Sequence, residues 1–150
     1  KEIIVLMNTN KYIAGDWVKL IGVCPPRNGQ IERVSEYFLL FKEGFYIVDF
    51  REIQPIPLTF KILEENGWEL REHHERKHFE DVEWYLYHNP AVTHVSLRFY
   101  PEKKAFFPFL YKEEISEKPI QYVHQLQHLL FGLGIDFDFN LGNSMKGGEK

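Results

Sequence analysis

The sequence predicts an α+β fold, and three observations lead to this class. Short apolar runs that alternate with polar residues, separated by turn residues, predict strands in two stretches of the chain. Two other segments carry the end signals and apolar spacing of helices. Aromatic residues make up 16% of the 150 residues, which favours a core of rings packed on strands. We therefore expect one compact α+β domain over residues 1–139.

The β-rich half is expected over about residues 12–55. Four short strands are predicted there, at 16–23, 30–34, 37–42 and 45–50. A turn is expected from Pro25 to Gly29, and Lys42-Glu43-Gly44 predicts a tight hairpin in which glycine supplies a positive φ. The alternating apolar residues of these strands predict a small, partly open barrel of the SH3-like kind.

A short capped helix should open the second half, which is expected over about residues 56–135. Pro55 and Pro57 keep the preceding residues extended, so the helix begins after them with Thr59 as its N-cap. Gly67 followed by Trp68 predicts a Schellman ending, in which glycine takes the left-handed conformation.

An antiparallel meander covered by a C-terminal helix should complete this half. Its strands are predicted at 84–88, 94–100 and 105–111. The helix is expected to run from Pro119 to Gly132 or Gly134, because proline suits a first helical turn and glycine an end. The apolar stripe that should lie on the meander consists of Val123, Leu126, Leu130 and Leu133. Residues 140–150 are expected to form a disordered tail.

Charge and cysteine content narrow the classes of function. The formal net charge of −4 argues against sequence-independent nucleic-acid binding, which depends on clustered Lys and Arg. Cys24 is the only cysteine, so no internal disulfide forms and a cytoplasmic protein is expected. Residues 1–6 are too short for a signal-peptide core, and no apolar run reaches membrane-helix length, so no membrane partner is expected. Met7 is a candidate natural start.

Three pieces of the chain resemble a known family. They are Gly15-Asp16-Trp17-Val18, Pro55-Ile56-Pro57-Leu58-Thr59 before a helix closed by Gly67-Trp68, and Tyr122-Val123-His124-Gln125-Leu126-Gln127. Their order and spacing resemble a family of uncharacterised proteins of Bacteroidales bacteria, their phages and mobile elements, over about residues 12–135. The family continues the last piece with Asn-Leu-Tyr-Phe, where this chain has His128-Leu129-Leu130-Phe131. The resemblance implies an origin in phages or mobile elements and no particular activity.

One string has the spacing of zinc-protease ligands. His74-Glu75-Arg76-Lys77-His78 matches H-E-x-x-H, which on a helix places both imidazoles on one face beside a glutamate that activates zinc-bound water. Its flanks are charged, which is typical of a solvated loop rather than of a buried helix. A third ligand would come from Glu83, His94 or Glu102. A hydrolase using Glu75 with a metal on His74 and His78 is therefore an alternative, and no cofactor is expected.

Two other groups are candidates for binding. In the last helix, His124 and Gln125 are interpreted as a recognition pair or as residues that fix the helix, and His128 lies one turn beyond His124. A packed helix would make His124 a structural histidine. The polar face of the meander is predicted to present rings and cations that could stack nucleobases, namely Tyr85, Tyr87, His94, Arg98 and Tyr100.

These patterns favour a protein that binds over one that catalyses. No phosphate-cradling glycine loop or nucleophile elbow occurs in the sequence. The leading hypothesis is a non-enzymatic binding or accessory protein of phage or mobile-element origin, with a macromolecular partner for which protein is favoured over nucleic acid. The alternatives are a zinc-dependent hydrolase and a single-stranded nucleic-acid binder using the meander face.

Overall fold

The structure is a computed structural model that describes residues 12–142, apart from the side chain of Phe50. The fold is α+β with β structure dominating, at 40% strand and 14% helix. The described residues divide into two compact units, residues 12–57 with 140–142 and Leu58–Phe139. The expectation of a single domain over residues 1–139 stays a prediction.

The first unit is built on a curled, half-barrel sheet of five antiparallel strands. The strands are β1 (Trp17–Leu20), β2 (Arg27–Val34), β3 (Leu39–Phe41), β4 (Tyr46–Ile47) and β5 (Ile53–Pro55), in the order β4-β3-β2-β1-β5. A short 3-10 helix, Phe50–Glu52, precedes β5. The core of this unit consists of Tyr12, Val18, Leu20, Ile31, Leu39, Phe41, Ile47 and Ile53.

Two turn predictions in this unit have different outcomes. The hairpin between β3 and β4 is confirmed, and Gly44 has a φ of 97°. The turn predicted at 25–29 is wrong at its end, because β2 already begins at Arg27 and pairs with β1. Gly29 serves close packing instead, since a Cβ there would lie 2.8 Å from Cδ1 of Leu20. Strand β5 was not predicted, because three residues are too few to show alternation.

The chain remains part of the fold beyond residue 140. Leu141 is buried, and its carbonyl oxygen accepts a hydrogen bond of 3.1 Å from Nδ2 of Asn28. The disordered tail is therefore not supported for residues 140–142. The rest of that prediction, at 143–150, lies outside the described residues, as do the expectations for residues 1–6 and Met7.

The second unit is a five-stranded antiparallel sheet with two helices among its described residues. The elements are α1 (Phe60–Glu65), β6 (Glu69–His74), β7 (Trp84–Asn89), β8 (Val92–Tyr100), β9 (Ala105–Leu110), β10 (Glu113–Glu114) and α2 (Val123–Gly132). The strand order is β10-β9-β8-β7-β6, so the predicted meander forms the centre. The edge strands β6 and β10 were missed because their residues are nearly all exposed and show no apolar alternation.

Both predicted ends of α1 are confirmed. Oγ1 of Thr59 accepts a hydrogen bond from the Ile62 N–H, and Gly67 has a φ of 90°. The Trp68 N–H donates to the Leu63 carbonyl over 2.9 Å, as a Schellman ending requires.

Helix α2 begins later than predicted. Ile120 forms a bridge with Phe106, which keeps the chain extended after Pro119, and Tyr122 is the N-cap. The end at Gly132 is confirmed. Val123, Leu126 and Leu130 of the predicted stripe are buried, whereas Leu133 lies past the helix and is 39% exposed.

Neither α1 nor α2 is long and apolar enough to cross a membrane, and the other described residues contain no such helix.

Candidate functional site

The second sheet has two faces with different contents. Tyr85 pairs with Phe99, and the next residue along, Leu86, pairs with Arg98, so these two pairs point to opposite sides. On one side, which we call the packed face, the ring of Phe60 in α1 lies 5.5 Å from that of Tyr87 and 4.7 Å from that of Phe99. The other side, which we call the cationic face, carries Glu69, Arg71, Glu72, His74, Trp84, Leu86, His88, His94, Ser96, Arg98, Tyr100, Phe107 and Phe109.

The predicted nucleobase platform is therefore divided between the faces. Tyr85 and Tyr87 point to the packed face, and Tyr87 is only 6% exposed. His94, Arg98 and Tyr100 point to the cationic face. The prediction that all five share one face was wrong because the strands pair Tyr85 with Phe99 rather than with Arg98. Among these residues only the three on β8 can act on one ligand.

A stack of planar groups runs across four strands of the cationic face. The ring of His74 lies 5.1 Å from that of Trp84, at an interplanar angle of 15°. The guanidinium of Arg98 lies 4.0 Å from the Trp84 ring and 4.4 Å from the ring of Phe109 on the neighbouring strand. Such cation–π contacts stabilise by about 0.5 to 2 kcal/mol each, depending on burial. The stack occupies ring faces that a nucleobase would need.

Arg98 has no ion pair within the described part of the chain. Its Nε is buried without a hydrogen-bond partner there, and its Nη1 makes one long contact, of 3.5 Å, with the Tyr100 hydroxyl. Arginine keeps its charge in proteins, so the rings hold a cation that no carboxylate of residues 12–142 neutralises.

A groove of about 280 Å³ lies beside this face. It is lined by Arg71, Glu72, Leu86, His88, Thr93, His94, Val95, Ser96 and Tyr111. Nη1 of Arg71 lies 3.1 Å from Nδ1 of His88, and Arg71 pairs with no carboxylate in the described residues. Arg71 is thus a second arginine on this face whose charge is not balanced by an ion pair.

Tyr111 lines the groove and has an unusual backbone conformation. Its φ is 59°, a left-handed value that costs a bulky residue about 1 kcal/mol or more. Its N–H donates to the His94 carbonyl over 2.7 Å, and its ring lies 4.9 Å from that of His94. The side chain is 66% exposed. The strained turn therefore presents the tyrosine ring and hydroxyl to solvent beside the groove.

The H-E-x-x-H string does not form a helix. His74 ends β6, and residues 75–78 that follow are irregular, so His74 and His78 do not share a helical face. Nε2 of His74 lies 2.9 Å from Oδ2 of Asp81, whose carboxylate also accepts from the backbone N–H groups of Lys77 and Val82. The hydrogen bond from His74, followed by those from the two backbone groups, lowers the pKa of Asp81 to about 2. Asp81 therefore organises this loop.

The proposed third ligands are also engaged elsewhere. Oε2 of Glu83 lies 2.7 Å from Nε2 of His73. Glu102 pairs with Arg76 over 3.3 Å, and the His94 ring lies against Tyr111. Within residues 12–142 no three His, Cys, Asp or Glu side chains are grouped to hold a metal ion. The arrangement required of a zinc protease is therefore not present at this string.

His73, Glu83 and Tyr85 form a second cluster, at the edge of the packed face. The rings of His73 and Tyr85 are stacked 4.0 Å apart and nearly parallel, and the Tyr85 hydroxyl donates to Glu83. The hydrogen bond from His73 lowers the pKa of Glu83, while partial desolvation and the Glu83 charge raise the pKa of Tyr85. Tyr85 is thus tied to its neighbours and does not stand free for a ligand.

His124 and Gln125 lie at the first turn of α2. His124 is buried, with its ring 5.4 Å from that of His128 and 6.0 Å from that of Tyr122. Oε1 of Gln125 accepts hydrogen bonds from the backbone N–H groups of Gln121 and Tyr122, at 2.7 and 3.0 Å. These contacts favour the structural interpretation of the pair, with Gln125 fixing the start of the helix.

Comparisons of the chain with models of known protein families, with curated proteins and with solved structures found no match. The function is therefore inferred from the geometry of the cationic face. Sequence reasoning missed Arg71, Trp84 and Phe109, because their placement on one face depends on the register of four strands. The period-two alternation of β8 placed His94, Arg98 and Tyr100 together and was the only signal for this face.

Proposed function

We propose that this is a non-enzymatic binding or accessory protein whose cationic face holds an acidic partner. The observation that carries the proposal is that Arg71 and Arg98 share this face and contact rings rather than carboxylates of the described chain. An arginine without an internal counter-charge is suited to bind carboxylate or phosphate groups, because its planar fork donates two parallel hydrogen bonds.

An acidic protein segment is the partner that these features favour. The net charge of −4 disfavours a long polyanion such as nucleic acid. The rings of Trp84 and Phe109 are occupied by Arg98, which leaves less aromatic surface for base stacking. A few acidic side chains could instead contact the two arginines without bringing a long negatively charged chain against a protein of negative net charge.

The proposal has three further parts, two argued from the sequence and one from the first sheet. The pieces ending in Tyr122-Val123-His124-Gln125-Leu126-Gln127 support an origin in phages or mobile elements. The single cysteine supports a cytoplasmic location. The curled first sheet supports an SH3-like description of the first unit. The zinc-dependent hydrolase is not proposed, because residues 75–78 form no helix.

A single-stranded nucleic acid is the second candidate partner. Tyr111 favours it, since this ring is 66% exposed and lies beside the groove and the His94 ring. One exposed ring could stack a single base at the end of a strand.

A two-probe titration tests the proposal. A fluorescent 15-residue glutamate-rich peptide and a 15-nucleotide oligothymidine are each titrated with the protein at about 50 and 200 mM salt. Binding that depends on charge weakens strongly over this range, whereas other binding does not. We expect salt-dependent binding of the peptide that is weakened by Arg71→Gln. The matched control is Arg27→Gln, because Arg27 already pairs with Glu43 in the other unit. Stronger binding of the oligonucleotide would favour the second candidate, and binding of neither probe would contradict a role for this face.

A further inference from the structure

Resting on the proposed binding face, we infer that the groove beside Arg71 is a pocket for one phosphate monoester group, carried by a phosphorylated side chain of a protein partner. The groove occupies about 280 Å³, slightly below the range of pockets that enclose whole small molecules. Its size therefore fits a single side chain better than a nucleotide or cofactor.

Arg71 supplies the fixed positive charge of the pocket. One of its guanidinium nitrogens, Nη1, lies 3.1 Å from Nδ1 of the His88 imidazole. Nη1 also lies 3.3 Å from Nε2 of His88, so it contacts both ring nitrogens, and the guanidinium is not neutralised because an imidazole carries no negative charge. The remaining N–H groups have no partner within the described chain and can donate to two oxygens of one anion.

The other lining residues add hydrogen-bond donors to the groove. Ser96 and Thr93 contribute hydroxyls, His94 an imidazole, and Tyr111 a phenol. A carboxylate has two oxygens, whereas a phosphate monoester has three terminal oxygens and a charge of about −1.5 to −2 at neutral pH. The number of donors in the lining therefore matches phosphate better than carboxylate.

Glu72 is the one carboxylate in the lining, and it opposes an anion. It makes no ion pair within residues 12–142, so its negative charge stands in the groove beside the positive charge of Arg71. The proposal consequently predicts opposite effects on phosphate binding for two adjacent residues. Removing the charge of Arg71 must weaken phosphate binding, and removing the charge of Glu72 must strengthen it.

Inorganic phosphate is the first probe. The ¹H–¹⁵N signals of the full chain, including the Nε–Hε group of Arg71 and the ring of His88, are followed during a phosphate titration. We expect saturable shifts at these two groups. Loss of a charge-assisted contact should weaken binding about tenfold or more in Arg71→Gln, and loss of the opposing charge should tighten it about threefold in Glu72→Gln. Arg27→Gln should bind as the unaltered protein does.

A second titration compares two molecules that could carry the phosphate group, a peptide and an oligonucleotide. A peptide containing one phosphoserine is measured against its unphosphorylated form and against a 5′-phosphorylated oligothymidine. Tighter binding of the phosphopeptide supports the inference, and tighter binding of the oligonucleotide overturns its choice of partner. Equal phosphate affinity of Arg71→Gln and Arg27→Gln, or no change in Glu72→Gln, overturns the pocket itself.

These results separate the inference from the proposed function. Binding of the glutamate-rich peptide with no response to phosphate would overturn the phosphate pocket and leave the acidic partner intact. Binding of inorganic phosphate with no bound peptide or oligonucleotide would overturn the macromolecular partner. Circular dichroism and thermal unfolding of each variant show that the fold is retained, which is expected because Arg71 and Glu72 are both exposed.

Discussion

The guanidinium of Arg98 lies 4.0 Å from the centre of the Trp84 ring, on the next strand of the same sheet. Phe109 approaches the guanidinium from the strand on the other side, at 4.4 Å. Rings from β7 and β9 therefore enclose a cation from β8, and the ring of His74 on β6 extends this layer to a fourth strand. This layer links the stability of the second unit to the charge on the face that we propose as the binding face.

Replacing Arg98 with lysine should destabilise the second unit although the charge is kept. Lysine has no planar group to lie against both Trp84 and Phe109, so we expect a loss of about 1 kcal/mol in the free energy of unfolding, measured by urea denaturation. The control is Arg33→Lys in the first sheet, whose arginine is exposed and makes no ring contact among the described residues. Equal stability of the two variants would contradict a stabilising stack.

Replacing Asp81 with asparagine should loosen the loop that follows β6. The carboxylate accepts from His74 and from the backbone N–H groups of Lys77 and Val82. Asparagine keeps only one acceptor oxygen, so we expect amide hydrogen exchange at these two groups to accelerate about tenfold. Glu80→Gln is the control, since Glu80 is exposed and holds neither amide. Unchanged exchange in Asp81→Asn would show that the loop is held by other contacts.

Acid should release the same loop at an unusually low pH. The pKa of Asp81 is lowered from 3.8 to about 2, so its contacts contribute stability above pH 3.8 and lose it as the pH falls through about 2. A carboxyl ¹³C titration should give a midpoint near 2 in the unaltered protein and a higher midpoint, nearer 3.8, in His74→Gln. A midpoint near 3.8 in both proteins would mean that the His74 contact does not form in solution.

Replacing Asn89 with alanine should destabilise the junction between α1 and β7. Asn89 is buried, its Nδ2 donates to the Asn66 carbonyl over 3.0 Å, and its Oδ1 accepts from the Ala91 N–H over 2.8 Å. Losing both bonds should lower the free energy of unfolding by about 2 kcal/mol. Asn28→Ala, which removes one partly buried bond to Leu141, should cost less. The reverse order would contradict this role for Asn89.

Replacing Gln125 with alanine should weaken the start of α2. Its Oε1 accepts from the N–H groups of Gln121 and Tyr122, and its loss should cost about 1 kcal/mol in thermal or urea unfolding. Gln125→Glu should retain most of the stability, because glutamate keeps the acceptor and its charge suits a helix N-terminus. Gln121→Ala, which keeps its backbone N–H, is the neutral control. A loss of equal size in all three variants would argue against capping.

Local signals in the sequence were sufficient for much of the second unit. Thr59, Gly67 and Trp68 predicted both ends of α1, because capping depends on residues only a few positions apart. The centres of β7, β8 and β9 followed from alternation and from the turns between them. The start of α2 was predicted too early, because it depends on a distant partner. Ile120 pairs with Phe106, which keeps the chain extended there.

For the candidate site, the sequence by itself determined that His94, Arg98 and Tyr100 share a side of β8, since alternation within one strand is a local property. It also showed that His74 begins a string with the spacing of zinc ligands, H-E-x-x-H. Only the tertiary structure decided that Tyr85 and Tyr87 lie on the opposite face, that His74 is joined to Asp81, and that Arg71 meets His88. The reason is physical: cross-strand register and the bulge between Leu70 and Glu72 are set by long-range pairing, which no single segment encodes.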